Sequence, residues 1–191
     1  MSSRFLPFLC LSSFFLSVAG QCHSGWVLVH RNSGEWCIQI FFGDTTGYGA
    51  VDRCAGQGAV LTGIENTEEM HVIINQMKQI TMKNALPPDA GFWIGAQRRC
   101  NCFDNRNPNE CTRENIYAWA DGLTKGYWGF TRWAYKEPKG YYQRTNVEDC
   151  VYVRYNNRKM DGELADAKCE ERNPAVRGYV CGRAPLALDQ I

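Results

Sequence analysis

The stretch Glu137-Pro138-Lys139-Gly140-Tyr141-Tyr142, followed after five intervening residues by Glu148-Asp149-Cys150, gathers three carboxylates, a proline, a lysine and two tyrosines within one short loop. Carboxylates at this density are suited to a divalent cation, because calcium takes about 6–8 hard oxygen ligands at roughly 2.3–2.6 Å. Lys139 stands among the acids, and its ammonium has no lone pair to offer a metal. The loop therefore has two readings: a cation site, and a site in which Lys139 has taken the cation's place. Tyr141 and Tyr142 add broad amphipathic rings suited to stacking on a sugar or to contact with a protein; ordinary loop packing is the plain alternative.

No other group of residues competes as chemistry. His23, His30 and His71 lack metal-pair spacing, and no G-x-S-x-G occurs. Paired carboxylates are confined to the loop, where a glycosidase would be the catalytic alternative; the expectation is that the protein is not an enzyme. Cys100, Cys102 and Cys111 have two readings. One is disulfide pairing that leaves an odd thiol. The other is a three-thiolate zinc set, which lacks a nearby His.

The elements that must position this loop are legible in part. Residues 1–20 carry Arg4, an apolar run from Phe5 to Ala19 and small residues at Val18-Ala19-Gly20. That is the pattern of a secretory signal, and the run is shorter than the ~18–20 apolar residues of a membrane anchor. The expectation is a secreted, extracellular protein without a membrane span. Loss of the signal removes one of the 21 basic residues and none of the 20 acidic ones, so the mature chain is formally neutral. Such balance offers no electrostatic footprint for nucleic acid. Of ten cysteines Cys10 leaves with the signal, and the remaining nine in an oxidising compartment read as a disulfide framework with one thiol over.

Trp26–His30 and Trp36–Phe41, separated by Asn32-Ser33-Gly34, predict a hairpin. Thr46–Gly56 predicts a short helix with Ala50, Val51, Cys54 and Ala55 on one side. Asn66 predicts an N-cap, with Glu69 three residues on as in a capping box. Met70, Ile73, Ile74, Met77 and Ile80 then give the apolar stripe of a helix ended before Pro87-Pro88, with His71 off the stripe. Phe92–Ala96, Ile116–Trp119, Cys150–Tyr155 (alternating with period two) and Arg177–Cys181 read as short strands with long connections. Two helices beside an antiparallel sheet make the fold class α+β, with residues 184–191 as a loose tail.

These landmarks together resemble the C-type lectin-like domain, over residues 22–183. Cys22-x-x-Gly25-Trp26 resembles the opening of its long form. Cys54 and the following Ile64-Glu65-Asn66, Trp93-Ile94-Gly95, Trp119-Ala120-Asp121-Gly122, Glu137-Pro138-Lys139, Glu148-Asp149-Cys150, Asp166-Ala167-Lys168-Cys169 and Cys181 are similar to its successive motifs in order. The resemblance implies a two-helix, disulfide-held fold with the pairs Cys54–Cys181, Cys150–Cys169 and Cys22–Cys37. An extra Cys102–Cys111 bridge is similar to that of nematode members. Cys100 is then the odd thiol, open to a disulfide-linked dimer.

The resemblance also implies a ligand set. In calcium-binding members an E-P-N loop, a Glu before the next cysteine and a W-N-D motif hold one ion and, through it, two sugar hydroxyls. Here Glu137, Glu148 and Asp166 match the anionic ligands. Lys139 replaces one Asn, Ala165 the other, and Leu164 the Trp. Calcium is the cofactor the family implies, yet the substitutions argue that none is required; Lys139 is expected to pair with Glu137, Glu148 or Asp166. The expected role is non-catalytic recognition of a glycan, in innate defence, with weakened or lost calcium dependence. The alternative is a calcium-independent module that binds an extracellular protein or plays a structural part.

Overall fold

The computed structural model describes residues 20–103, 110–142, 148–156, 159 and 161–187, with only the backbone of Tyr142. All of the expected signal except Gly20, with Cys10 within it, and the last four residues of the expected tail lie outside the described residues. Strands β1 (Val27–Arg31) and β2 (Gly34–Phe42) form the hairpin, followed by α1 (Gly47–Ala55), β3 (Val60–Leu61) and α2 (Thr67–Lys83). Then come β4 (Gly91–Arg98), β5 (Tyr117–Trp119), a four-residue helix α3 (Lys139–Tyr142), β6 (Cys150–Asn156), β7 (Asp161–Ala167) and β8 (Val176–Arg183). The main sheet runs β1-β2-β8-β4-β6-β7, with β3 on β8 and β5 on β4. Of these pairs only β4–β8 is parallel, so the sheet is mixed rather than wholly antiparallel.

Thr46 caps α1 by accepting from Gly49 N at 3.0 Å. Its buried face is Gly47, Ala50 and Cys54; Val51 and Ala55, expected on that face, are exposed. Asn66 caps α2, its Oδ1 accepting from Glu69 N at 3.0 Å. The return half of the capping box is not made. Glu69 turns inward instead, where it is fully buried and accepts from Arg31 Nε at 2.6 Å and Nη2 at 3.0 Å, and from Glu65 N at 2.8 Å. The Met70–Met77 stripe packs on Val29, Ile38, Phe92, Ile94, Val151, Val153 and Leu164, and His71 faces solvent.

Close approach explains two motifs. A Cβ on Gly95 would stand 1.9 Å from Leu61 O, so only glycine admits the chain there. Asp121 knots the turn after β5: one oxygen accepts from Leu123 N and Thr124 N, and the other from Gly63 N and the Thr124 hydroxyl. Gly122 beside it takes φ 68°, a conformation that favours glycine.

Disulfides join Cys22–Cys37, Cys54–Cys181, Cys102–Cys111 and Cys150–Cys169, and Cys100 is exposed and unpaired. The bond between Cys102 and Cys111 removes the three-thiolate zinc reading. Cys54–Cys181 spans 127 residues, a closure worth about 4–5 kcal/mol in the chain-entropy picture. Leu186 bridges back to Gln21, its N donating to Gln21 O at 2.8 Å.

Candidate functional site

Strand β7 places the site. Its sequence, Asp161-Gly162-Glu163-Leu164-Ala165-Asp166-Ala167, carries no strand periodicity, yet it pairs along its whole length with β6. The segment before the acidic loop runs beside it: Leu164 N donates to Arg132 O and Ala134 N to Leu164 O, both at 2.9 Å. This short parallel bridge delivers the loop to Asp166. Strand β6, expected to alternate, is instead buried along nearly all its length because β4 and β7 flank it and both faces are covered.

Asp166 is fully buried and is the hub. Lys139 N donates to Oδ1 at 2.7 Å, and Gly140 N to Oδ2 at 2.6 Å. The Tyr117 hydroxyl lies 2.7 Å from Oδ2 and 2.5 Å from Glu148 O, so its one proton is held between the two acceptors. Burial, with the Asp166 charge beside it, pushes the Tyr117 phenol up and keeps it a donor. A Cβ on Gly140 would meet Tyr117 Oη at 2.9 Å and Asp166 Oδ2 at 3.0 Å, which is why a glycine follows Lys139. Arg98, itself buried, donates to Gly140 O at 2.5 Å. Arg113 clamps the other side of the loop, Nε donating to Glu137 O at 2.9 Å and Nη2 to Trp133 O and Ala134 O at 3.3 and 3.4 Å. The Glu137–Pro138 bond is cis.

The Lys139 ammonium sits between the remaining carboxylates, 3.4 Å from Glu137 Oε1 and 3.7 Å from Glu148 Oε2. Burial alone would depress the Lys139 pKa; the charges of Glu137 and Glu148 more than offset it and hold the group above its ordinary value. Glu137 and Glu148 are both pushed up to about 7, first by burial and then by Asp166, with Lys139 pulling the other way. The structure thus brings Glu137, Lys139, Glu148 and Asp166 together. Tyr141 is half-buried and packs against the main core. The Tyr142 side chain lies outside the described residues.

This donor set does not fit calcium. Asp166 is committed to backbone N–H groups and a phenol, Lys139 fills the space between the two Glu side chains, and Ala165 and Leu164 are fully buried without an oxygen to offer. Among the described residues no group of three or more His, Cys, Asp or Glu is arranged to hold a metal ion. Tyr117, Arg98, Arg113 and Gly140 were missed by sequence reasoning. Only Gly140 left a trace, as a glycine directly after the E-P-K triplet.

The two-helix, disulfide-held fold with this loop on β7 is that of a C-type lectin-like domain. The family profile described as C-type lectin domain-containing protein 141/158 matches residues 29–184, and the chain belongs to that family. It is 31% identical to human layilin over 137 residues, which cover 68% of this chain and 31% of layilin. The chain therefore spans about a third of that relative's length. Among solved structures it is similar to the C-type lectin CEL-I from Cucumaria echinata, with TM-score 0.57 and 21% identity over 87% of this chain and 99% of the other. It is also similar to a calcium-independent type II antifreeze protein, with TM-score 0.52 and 18% identity over 89% and 99%. These structural likenesses show the fold. The family is one of non-catalytic recognition domains. No helix of the described residues is long and apolar enough to cross a membrane.

Proposed function

We propose that the protein is a secreted, calcium-independent recognition module that has lost the metal-type sugar site and engages another extracellular protein. One observation carries this reading: the Lys139 ammonium stands between Glu137 and Glu148 while Asp166 is consumed in holding the loop. A cation site has become an internal ion cluster that shapes the loop without metal. The calcium-independent antifreeze protein supports the view that this fold stands without the ion. Direct carbohydrate recognition, with a part in innate defence, is the second reading; the CEL-I likeness favours it at the level of fold. Assignment to a long form, with the Cys22–Cys37 bridge, and to a nematode-type subgroup, with Cys102–Cys111, rests on the sequence resemblance alone. Cys100, exposed and unpaired, is the residue through which a covalent dimer would form.

Calcium titration of the purified, disulfide-intact protein by calorimetry tests the proposal, with melting temperatures taken in calcium and in chelator. The expected result is no heat and no shift. Binding at millimolar calcium or below, with a raised melting temperature, would return Glu137, Glu148 and Asp166 to the role of ligands and sink the proposal.

A further inference from the structure

Next to the Lys139 cluster lies an open cleft of about 620 Å³, lined by Arg113, Trp133, Ala134, Tyr135, Lys136, Lys139 and Lys159. Four of these seven residues are cations, and their charges are not equally answered. Lys159 Nζ lies 2.7 Å from Glu163 Oε1, and Lys139 faces Glu137 and Glu148. Among the described residues Arg113 donates to backbone carbonyls alone, and no carboxylate lies within ion-pair distance of Arg113 or Lys136. The Lys136 ammonium sits 5.4 Å from the ring centroid of Tyr135, a residue that is 84% exposed. Lys136 also holds φ 62°, a left-handed backbone that side-chain-bearing residues adopt rarely and that clusters at ligand-contacting segments.

The lining selects its ligand by hydrogen-bond sense. Arg, Lys and Trp side chains only donate. Trp133 Nε1 is buried without a partner among the described residues, and Tyr135 supplies the one side-chain oxygen of the lining. A neutral saccharide offers hydroxyls that ask for acceptors as well as donors, and a lining of donors leaves that half unanswered. A carboxylate only accepts. Between the cations the Tyr135 ring is the exposed apolar surface, while Trp133 and Ala134 beside it are buried. A polypeptide in which Asp or Glu alternates with apolar residues meets both the charge and the exposed Tyr135 ring, and a sulfated saccharide is the competing occupant that the test separates from it.

The geometry points to this cleft as the docking site for an acidic, partly apolar segment of an extracellular protein. The inference rests on the protein-binding reading above and names the chemistry of that partner.

The test titrates the folded protein, in chelator and at low salt, with a short synthetic peptide that alternates Glu with Ala and Tyr. The same peptide with Gln for Glu, and a heparin-derived oligosaccharide, are run beside it. The Glu peptide is expected to bind, the Gln peptide not to, and binding to weaken as salt screens the charges. Lys136→Glu lowers affinity about tenfold, equivalent to ~1.4 kcal/mol. Tyr135→Ala lowers it several-fold, and Lys83→Glu, at the exposed end of α2 with the same change of net charge, leaves it unaltered. Equal binding of the Gln peptide, equal losses in Lys136→Glu and Lys83→Glu, or preference for the oligosaccharide would each overturn the inference. A calcium titration of the same sample keeps the two claims apart. Peptide binding together with a calcium heat sinks the calcium-independent reading and spares the cleft; absence of both sinks the cleft alone.

Discussion

Replacing Lys139 by Met withdraws the ammonium that faces Glu137 and Glu148. At 3.4 and 3.7 Å and an effective dielectric of about 20, each attraction is roughly 4–5 kcal/mol before solvation. The Lys139 side chain is 40% exposed, so water screening brings the net loss to about 1 kcal/mol. The informative effect is on protons. Glu137 and Glu148 stand at about 7 in the folded protein against 4.5 for an unperturbed Glu. Between those values the folded state holds more protons than the unfolded one, so stability is highest below pH ~4.5 and falls as pH rises toward 7. A rise of that size is worth about 3 kcal/mol, shared by an interacting pair rather than counted twice. Without Lys139 the carboxyls rise further, and the decline continues above pH 7. Urea midpoints of both proteins from pH 5 to pH 9 make the comparison. The gap is expected to be small at pH 5 and to widen steadily toward pH 9. A gap independent of pH, or a Met variant more stable than the parent at pH 8, would refute the claim that Lys139 neutralises the cluster.

Three further changes probe the frame that holds the site. Glu69→Ala leaves Arg31 buried without its bidentate partner and is expected to cost about 3–5 kcal/mol in urea unfolding; a loss under 1 kcal/mol would mean that the pair is not structural. Gly95→Ala drives a methyl into Leu61 O and is expected to cost about 3 kcal/mol or more, with little folded protein recovered. An unchanged melting temperature would contradict the close approach of β3 and β4. Cys100→Ser is expected to abolish thiol titre and any covalent dimer on a non-reducing gel while shifting stability by no more than about 0.5 kcal/mol; a dimer that persists would place the link elsewhere.

Helix α2 was legible in the sequence because its signals are local: the Asn66 cap and an apolar stripe at helical spacing lie within its own residues. The hairpin, α1 and β8 were legible for the same reason. So was the defect in the acidic loop, since the absence of both amides, at Lys139 and Ala165, is a matter of residue type alone. The disulfide pairs came through resemblance, because spacing alone leaves many pairings open.

Only the tertiary structure decided that Asp161–Ala167 is a strand. Its backbone is extended by hydrogen bonds to β6 and to residues 132–134, partners that no local pattern in a polar heptapeptide announces. The tertiary structure likewise turned Glu69 from a helix cap into the partner of Arg31, 38 residues away, and set Tyr117, Arg98 and Arg113 around the loop. Residue type determined what the loop lacks for calcium. The fate of the remaining carboxylates, one tied to the backbone and two facing Lys139, depended on contacts between segments far apart in the chain, and these exist only once the sheet has brought its strands into register.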